Sequence, residues 1–286
     1  KSENLCLSGG VALNCAVNGH LREKKIFNNI FIPVSPGDGG SAIGAALAIY
    51  YKTAFCKQRI NNSNPYLGPE YDNSLVKEIL DSKDSHYSFI EDISIYELIA
   101  DEIAKGKIIG WFQGRMEFGP RALGCRSILA DPRDNNMKHK INQSIKFREE
   151  FRPFAPIVME EDCSSYFNDD IASPYMMFTT KVKDELCIQL PANMELNDAI
   201  VAKTSRIPAV THIDKTARVQ TVNAKQCPRL YLLLSSFKKL TGCSVLLNTS
   251  FNVMGEPIVC SPEDAINTFY NSGIDILVIN NYIIYK

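Results

Sequence analysis

The sequence predicts an α/β segment followed by a larger α+β domain, and three observations carry that prediction. Two β-loop-α units stand within the first fifty residues, a stretch rich in chain breakers follows them, and the remainder mixes helix, strand and hairpin signals with no internal repeat. Asn4–Leu7 is a short apolar strand, Ser8-Gly9-Gly10 a turn, and Val11 to about Lys24 a helix. Ile30–Val34 repeats the strand, Ser35 to Gly40 the loop, and Ala42, Ile43, Ala46, Leu47 and Tyr50 share a helical face. Two strands and two helices hardly bury a core, so Lys1 reads as an interior point of a longer domain.

Asn61-Asn62-Ser63-Asn64-Pro65 and Gly68-Pro69 place a domain boundary within residues 56–74. Beyond it, Ser94 and Glu97 make a capping box, Leu98, Ile99 and Ile103 continue the helix, and Gly106 stops it before a strand over Lys107–Phe112. A helix over Pro228–Leu240 ends at Gly242, and a strand over Ser244–Leu247 runs into Asn248. Ser261-Pro262-Glu263-Asp264 starts a last helix that Gly273 ends. Ile276–Ile279 and Tyr282–Tyr285 then form a hairpin around Asn280-Asn281.

Composition narrows the function. The 286 residues are 45% hydrophobic, and 31 Lys+Arg against 32 Asp+Glu leave a net charge of -1, so no global field holds the chain to nucleic acid or an anionic membrane. No apolar run approaches the roughly 20 residues of a bilayer span, and no signal-peptide pattern opens the sequence, which makes a soluble, cytoplasmic protein the expectation. Nine cysteines without a C-x-x-C pair argue against a disulfide frame and a zinc knuckle. The four histidines, His20, His86, His139 and His212, include no H-x-x-x-H or H-x-x-H pair, so no histidine metal site can be built locally.

The chemistry concentrates in two segments. Six of eleven arginines, Arg115, Arg121, Arg126, Arg133, Arg148 and Arg152, lie between 115 and 152, where only five acids stand. They follow a buried-looking strand and are interleaved with Gly and Pro, with Lys146 close by. Arginine forks and backbone N–H groups freed by glycine suit the oxygens of a phosphate, whereas a solvated basic face would need no such backbone control. The second segment, Leu247-Asn248-Thr249-Ser250-Phe251-Asn252, leaves a strand with small polar side chains that contact a phosphate or sugar, or else satisfy their own turn. Ser8-Gly9-Gly10 and Gly37-Asp38-Gly39-Gly40 each join a strand end to a helix start, where phosphates bind, and Asp38 could hold a metal beside one.

Leu7-Ser8-Gly9-Gly10-Val11-Ala12-Leu13-Asn14, the Ser35 to Ala46 loop and helix, Gly110-Trp111-Phe112-Gln113-Gly114-Arg115-Met116-Glu117-Phe118-Gly119-Pro120-Arg121-Ala122-Leu123-Gly124 and Leu247 to Asn252 resemble the O-carbamoyltransferases of the nodulation and antibiotic-tailoring type. The resemblance runs from about Asn4 to Ile284. It implies the C-terminal part of an actin/hexokinase-like (ASKHA) domain over residues 1–60 and a YrdC-like mixed-sheet domain over 69–286. It further implies that the second domain makes carbamoyl adenylate from carbamoyl phosphate and ATP, and that the first transfers the carbamoyl group to an acceptor hydroxyl. Arg121, Lys146, Arg152, Arg218 and Ser250 match the family's catalytic set, with Lys146 acting as a mobile point charge. Asn252, Asn248, Arg115, Gly9, Gly10 and Asn14 match nucleotide-binding positions. Asp38 matches a metal carboxylate whose partner histidines are not in this sequence, so iron is expected there only in a full-length protein, and Mg2+ with ATP. No nucleic acid or membrane partner is implied, while an apolar face on the first segment makes self-association, including a homodimer, an expected assembly. Rival readings are a threonylcarbamoyl-adenylate protein serving tRNA modification, a non-catalytic nucleotide-binding module, and a small-molecule kinase suggested by residues 1–50 alone.

Overall fold

The computed structural model describes residues 2–53, 64–91, 93–169, 172–191, 193–195 and 202–286. Strand β1 (Asn4–Cys6) pairs in parallel with β2 (Asn29–Phe31), with Leu5 opposite Ile30. Helices α1 (Cys15–Glu23) and α2 (Gly40–Thr53) follow the two strands, as the β-loop-α pattern predicts. The single helix expected from Val11 is broken. A 3-10 turn over Gly10–Leu13 ends at Asn14, whose side-chain oxygen accepts from Val17 N at 3.1 Å and caps α1. An Asn whose carboxamide serves the helix start in this way favours a cap over a helix interior. Part of the expected 56–74 boundary, residues 54–63, lies outside the described residues.

The larger unit is built on an eight-stranded mixed sheet. In chain order its elements are α3 (Asn73–Ser82), β3 (Ser88–Phe89), α4 (Ser94–Ala104), β4 (Ile109–Phe112), β5 (Arg126–Ala130), α5 (Met137–Ile141) and β6 (Ala155–Met159). Then come α6 (Cys163–Tyr166), β7 (Thr179–Lys181), β8 (Thr216–Arg218), β9 (Gln220–Val222), α7 (Pro228–Thr241), β10 (Val245–Ser250), α8 (Pro262–Tyr270), β11 (Ile276–Ile279) and β12 (Tyr282–Tyr285). The sheet order is β3-β12-β11-β4-β5-β10-β6-β9, parallel at β11/β4 and β6/β9 and antiparallel elsewhere. Strands β4, β5, β6 and β11 are buried at every position, which is why β4, β6 and β11 read as near-continuous apolar runs rather than alternating ones. Helices α4 and α7 pack against each other, and Leu230, Leu233, Leu234 and Phe237 of α7 enter the core.

Most local signals are realised. Pro262 begins α8 behind a Ser261–Asp264 capping box. Gly242 closes α7 at φ +74°, a left-handed turn that an L side chain resists. The hairpin pairs Ile279 with Tyr282, and Asn280 takes φ +51° in its two-residue turn while donating to Tyr71 O at 2.7 Å. Three expectations are corrected. Ile93, not Ser94, occupies the cap position of α4, so Ser94 is its first helical residue. Helix α8 ends at Tyr270 before Asn271, and Gly273 serves instead to let Ser144 approach, since a Cβ there would collide with the Ser144 side chain. Strand β10 runs to Ser250 because Thr249 and Ser250 still pair with Ile128 and Ser127 of β5.

The first segment sits against the β7–β8 ribbon. Asn18, 2% exposed, donates to Met177 O at 3.0 Å and Ala12 O at 2.8 Å, and the bare Cα of Gly19 lies against Thr179. Val34 packs with Leu123, Ala155 and Met176. Thr179 pairs with Arg218, so this contact bears directly on the position of that arginine. Among the described residues no helix is long and apolar enough to cross a membrane.

Candidate active site

A cavity of about 400 Å³ opens where the β4–β5 loop, the segment after α5, the β7–β8 ribbon and the end of β10 converge. Arg121, Arg148, Arg152, Arg218 and His212 line it, with Asn248, Thr249 and Ser250 from β10 and Cys15 from the first turn of α1. Among the described residues no carboxylate lines it.

Each arginine is placed by a different device. Arg121 follows Gly119-Pro120, and Gly119 at φ +124° lies so close to Val34 that a Cβ would sit 3.0 Å from its carbonyl oxygen. The Arg121 guanidinium donates to Leu13 O at 3.4 Å, while its Nε is buried without a partner. Arg218 ends β8, where partial burial and the neighbouring Arg121 push its guanidinium down to about 10. Arg148 stands after a π-turn over Asn142–Lys146 that Phe147 terminates at φ +45°. It donates to Asn142 Oδ1 at 2.8 Å and lies 4.5 Å over the Phe154 ring, and partial burial together with Arg152 and Arg218 pushes it down to about 10. Arg152 is exposed, 4.0 Å from Glu149. Like charges thus share one pocket at mutual cost. A polyanion entering there would relieve that repulsion, which is the arrangement expected of a preorganised phosphate site.

Lys146 lies beside the cavity and is not mobile. The residue is 7% exposed, and its ammonium donates to Ser250 O at 2.6 Å, Ser250 Oγ at 3.2 Å, Asn252 O at 2.9 Å and Asn252 Oδ1 at 2.8 Å. Ser250 Oγ in turn donates to Asn252 Oδ1 at 2.6 Å. The expected roving charge is therefore a pin that holds the strand end, because four oxygens surround a group with three protons. Burial, helped by Arg148, pushes Lys146 down to about 7.

Asn248 presents a fixed acceptor. Its Nδ2 donates to Ala122 O at 2.9 Å and Gln220 Oε1 at 3.1 Å, and Gln220 is itself oriented by donating to Leu123 O at 2.8 Å. This chain fixes the amide so that Oδ1 has no partner among the described residues. His212 Nδ1 is bonded to Thr216 Oγ1 at 3.0 Å, and burial pushes the imidazole down to about 4, so it is neutral near pH 7.

The remaining expected residues stand elsewhere. Arg115 donates to Gly68 O at 3.0 Å and Leu67 O at 2.9 Å, clamping the incoming chain outside the cavity. Asn14 is spent as the α1 cap, next to Cys15 in the wall. Gly9 and Gly10 lie exposed outside the lining, and Asp38 is exposed on its loop. Among the described residues no three His, Cys, Asp or Glu side chains come together to hold a metal, so Asp38 by itself does not fit an iron site. Part of the arginine motif is scaffold. Arg126, fully buried, donates to Gln113 O, Gly114 O and Cys125 O at 2.9–3.1 Å and to Pro69 O at 3.3 Å, and lies 3.5 Å over the Phe112 ring. Buried Glu117 accepts from Leu123 N and Cys125 N at 2.7 Å, which shapes the loop that presents Arg121. Arg148 belongs to the arginine cluster of the sequence and lies two residues from Lys146, whereas His212, a lone histidine, carries no sequence signal of a site.

The carbamoyltransferase C-terminus family matches residues 100–286, more than half of the chain and every lining residue except Cys15. The chain belongs to the carbamoyltransferase family. The carbamoyltransferase N-terminus family matches residues 1–47. The nodulation protein NolO of Bradyrhizobium diazoefficiens is 41% identical over 99% of this carbamoyltransferase chain and 49% of its own length. The 3'-hydroxymethylcephem-O-carbamoyltransferase of Amycolatopsis lactamdurans is 31% identical over 97% of the chain and 48% of its own. These are the nodulation and antibiotic branches that the motifs resemble. The chain spans about half the length of the curated relatives it matches. Among solved structures, YciO of E. coli covers 68% of the chain and 80% of its own at 15% identity and a TM-score of 0.42, a likeness too low to carry an argument.

Proposed function

We propose that the cavity binds carbamoyl phosphate and the phosphates of ATP and joins them as carbamoyl adenylate, in a YrdC-like domain. The observation that carries this reading is the gathering of four arginines, with no carboxylate among the described residues, around one cavity. A carbamate oxygen bonds to the α-phosphorus of ATP and pyrophosphate leaves. Hydrolysis of carbamoyl phosphate supplies the carbamate, consuming one water and releasing inorganic phosphate. Bringing two polyanions together is the main barrier, and fixed guanidinium groups lower it without a protein nucleophile. Arg121, Arg148 and Arg218 would hold phosphate oxygens, Arg152 at the exposed rim would receive the incoming anion, and Thr249 and Ser250 would orient the reactants. Mg2+ would enter as the counterion of the nucleotide, since the wall offers it no carboxylate among the described residues. In the whole protein the adenylate would serve O-carbamoylation of an acceptor hydroxyl.

The test is to supply the chain with MgATP and carbamoyl phosphate and measure pyrophosphate release and adenylate by mass spectrometry. Pyrophosphate release that depends on carbamoyl phosphate is expected. Release supported instead by bicarbonate and threonine would replace this reading with the threonylcarbamoyl rival, and calorimetry showing no binding of either ligand to folded protein would remove it.

A further inference from the structure

The cavity wall is dominated by donors. Four arginines present only N–H groups, and an imidazole among them matters for what it can accept. The bonding around His212 settles which nitrogen carries its proton. Thr216 Oγ1 donates to Asp214 Oδ1 at 2.7 Å, and the same carboxylate oxygen accepts from Thr216 N at 3.0 Å. A hydroxyl has a single proton, and a carboxylate accepts only. With that proton given to Asp214, Thr216 Oγ1 can meet His212 Nδ1, 3.0 Å away, solely as an acceptor. Nδ1 is therefore the protonated nitrogen and Nε2 carries a lone pair. A main-chain bond from His212 N to Thr216 O at 2.8 Å closes the same turn and fixes the ring's base. Among the described residues Nε2 has no hydrogen-bond partner, and His212 lines both this cavity and a narrow neighbouring one beside Lys138 and Pro208.

We propose that His212 is a specificity-determining residue whose Nε2 accepts an N–H of the carbamoyl group, so that the cavity selects a carbamoyl phosphate over an acyl phosphate. This inference rests on the cavity being the carbamoyl phosphate site. The two ligand classes share the phosphate and carbonyl that the arginines would grip. They differ where the carbamoyl compound has an NH2 and acetyl phosphate a methyl group. Guanidinium groups cannot tell these apart, since they donate to oxygens present in both. A nitrogen lone pair can, because a methyl group leaves it unpaired after displacing the water that had satisfied it. Near-neutral pH leaves the imidazole uncharged, which preserves the lone pair in a field of four arginines. Thr216 acts through His212 as a positioning residue. Without its hydroxyl, Nδ1 loses the partner that selects the tautomer, and the ring is free to turn an N–H toward the methyl or the amide alike.

The experiment compares calorimetric affinities for carbamoyl phosphate, acetyl phosphate and pyrophosphate. The unaltered chain should bind carbamoyl phosphate about tenfold more tightly than acetyl phosphate, the ratio that one net hydrogen bond of about 1.4 kcal/mol provides. His212→Ala should bind the two alike and keep its pyrophosphate affinity, which reports an intact fold and cation set. His212→Gln, which restores an acceptor oxygen, should recover part of the ratio, and Thr216→Val should reduce it several-fold with His212 still present. A full preference retained in His212→Ala, or in Thr216→Val should His212→Ala fail to fold, overturns the inference. Tight binding of both phosphates without preference in the unaltered chain overturns it as well and leaves the proposed function standing. Failure to bind any of the three removes the proposed function itself.

Discussion

Replacing Arg218 with Met should move stability and binding in opposite directions. The guanidinium is held at about 10, below its ordinary value, by partial burial and by Arg121. At roughly 1.4 kcal/mol per pH unit, keeping it charged costs the free protein on the order of 3 kcal/mol. The side chain keeps some solvent, which screens part of this cost, so a gain of about 1–2 kcal/mol on substitution is the working figure. The sign follows from linkage: a base with a depressed folded pKa carries its full penalty at every pH below that value, so the gain is present at pH 7. Met keeps an apolar stem of similar length and removes only the charge. Thermal unfolding without ligand should shift upward by a few °C, whereas carbamoyl phosphate or ATP affinity should fall by about 1.5–3 kcal/mol, the scale of a charge-assisted hydrogen bond. Loss of both stability and binding would show that Arg218 holds the β7–β8 ribbon together rather than awaiting an anion, and would refute the electrostatic account of the cavity.

Arg152→Ala should weaken carbamoyl phosphate binding by about 1.5–3 kcal/mol with little change in unfolding, because its side chain is exposed and its ion pair with Glu149 spans 4.0 Å; calorimetry and a thermal melt distinguish this from a solvated-face arginine with no effect on either. Lys146 sits near 7 in the free protein, so a bound polyanion should raise it and draw in a proton. ATP affinity should then fall as pH rises from 7 to 9, with proton uptake visible as a dependence of the binding enthalpy on buffer, and Lys146→Met should abolish the uptake. Arg126→Met should cost several kcal/mol of stability, since it leaves Glu117 buried without its cation and strips four carbonyls of their donor, and a denaturant titration showing less than about 1 kcal/mol would contradict the scaffold role.

The sequence by itself determined the parts whose causes are local. The two β-loop-α units, the Ser261–Asp264 box, the left-handed stops at Gly106 and Gly242 and the Asn280-Asn281 hairpin follow from capping, turn chemistry and apolar periodicity, which act within a few residues. The arginine concentration and the Asn248 to Asn252 segment were likewise visible, as charge density and polar residues at a strand end. Their division of labour was not. Arg121 and Arg126 are five residues apart in one motif, yet one lines the cavity and the other is a buried splint, because the sheet turns Arg126 onto Phe112 and four carbonyls while Gly119 swings Arg121 outward. Lys146 reads in sequence as a free cation and is pinned only once β10 brings Ser250 and Asn252 to it across more than a hundred residues. His212 shows the same limit most plainly. Its tautomer depends on Thr216 and Asp214 close by, which a sequence displays, but its meaning depends on Arg121, Arg148 and Arg218 sharing its cavity. Caps and turns are written by neighbours along the chain, whereas the electrostatics of a cavity sums over groups that only tertiary packing assembles.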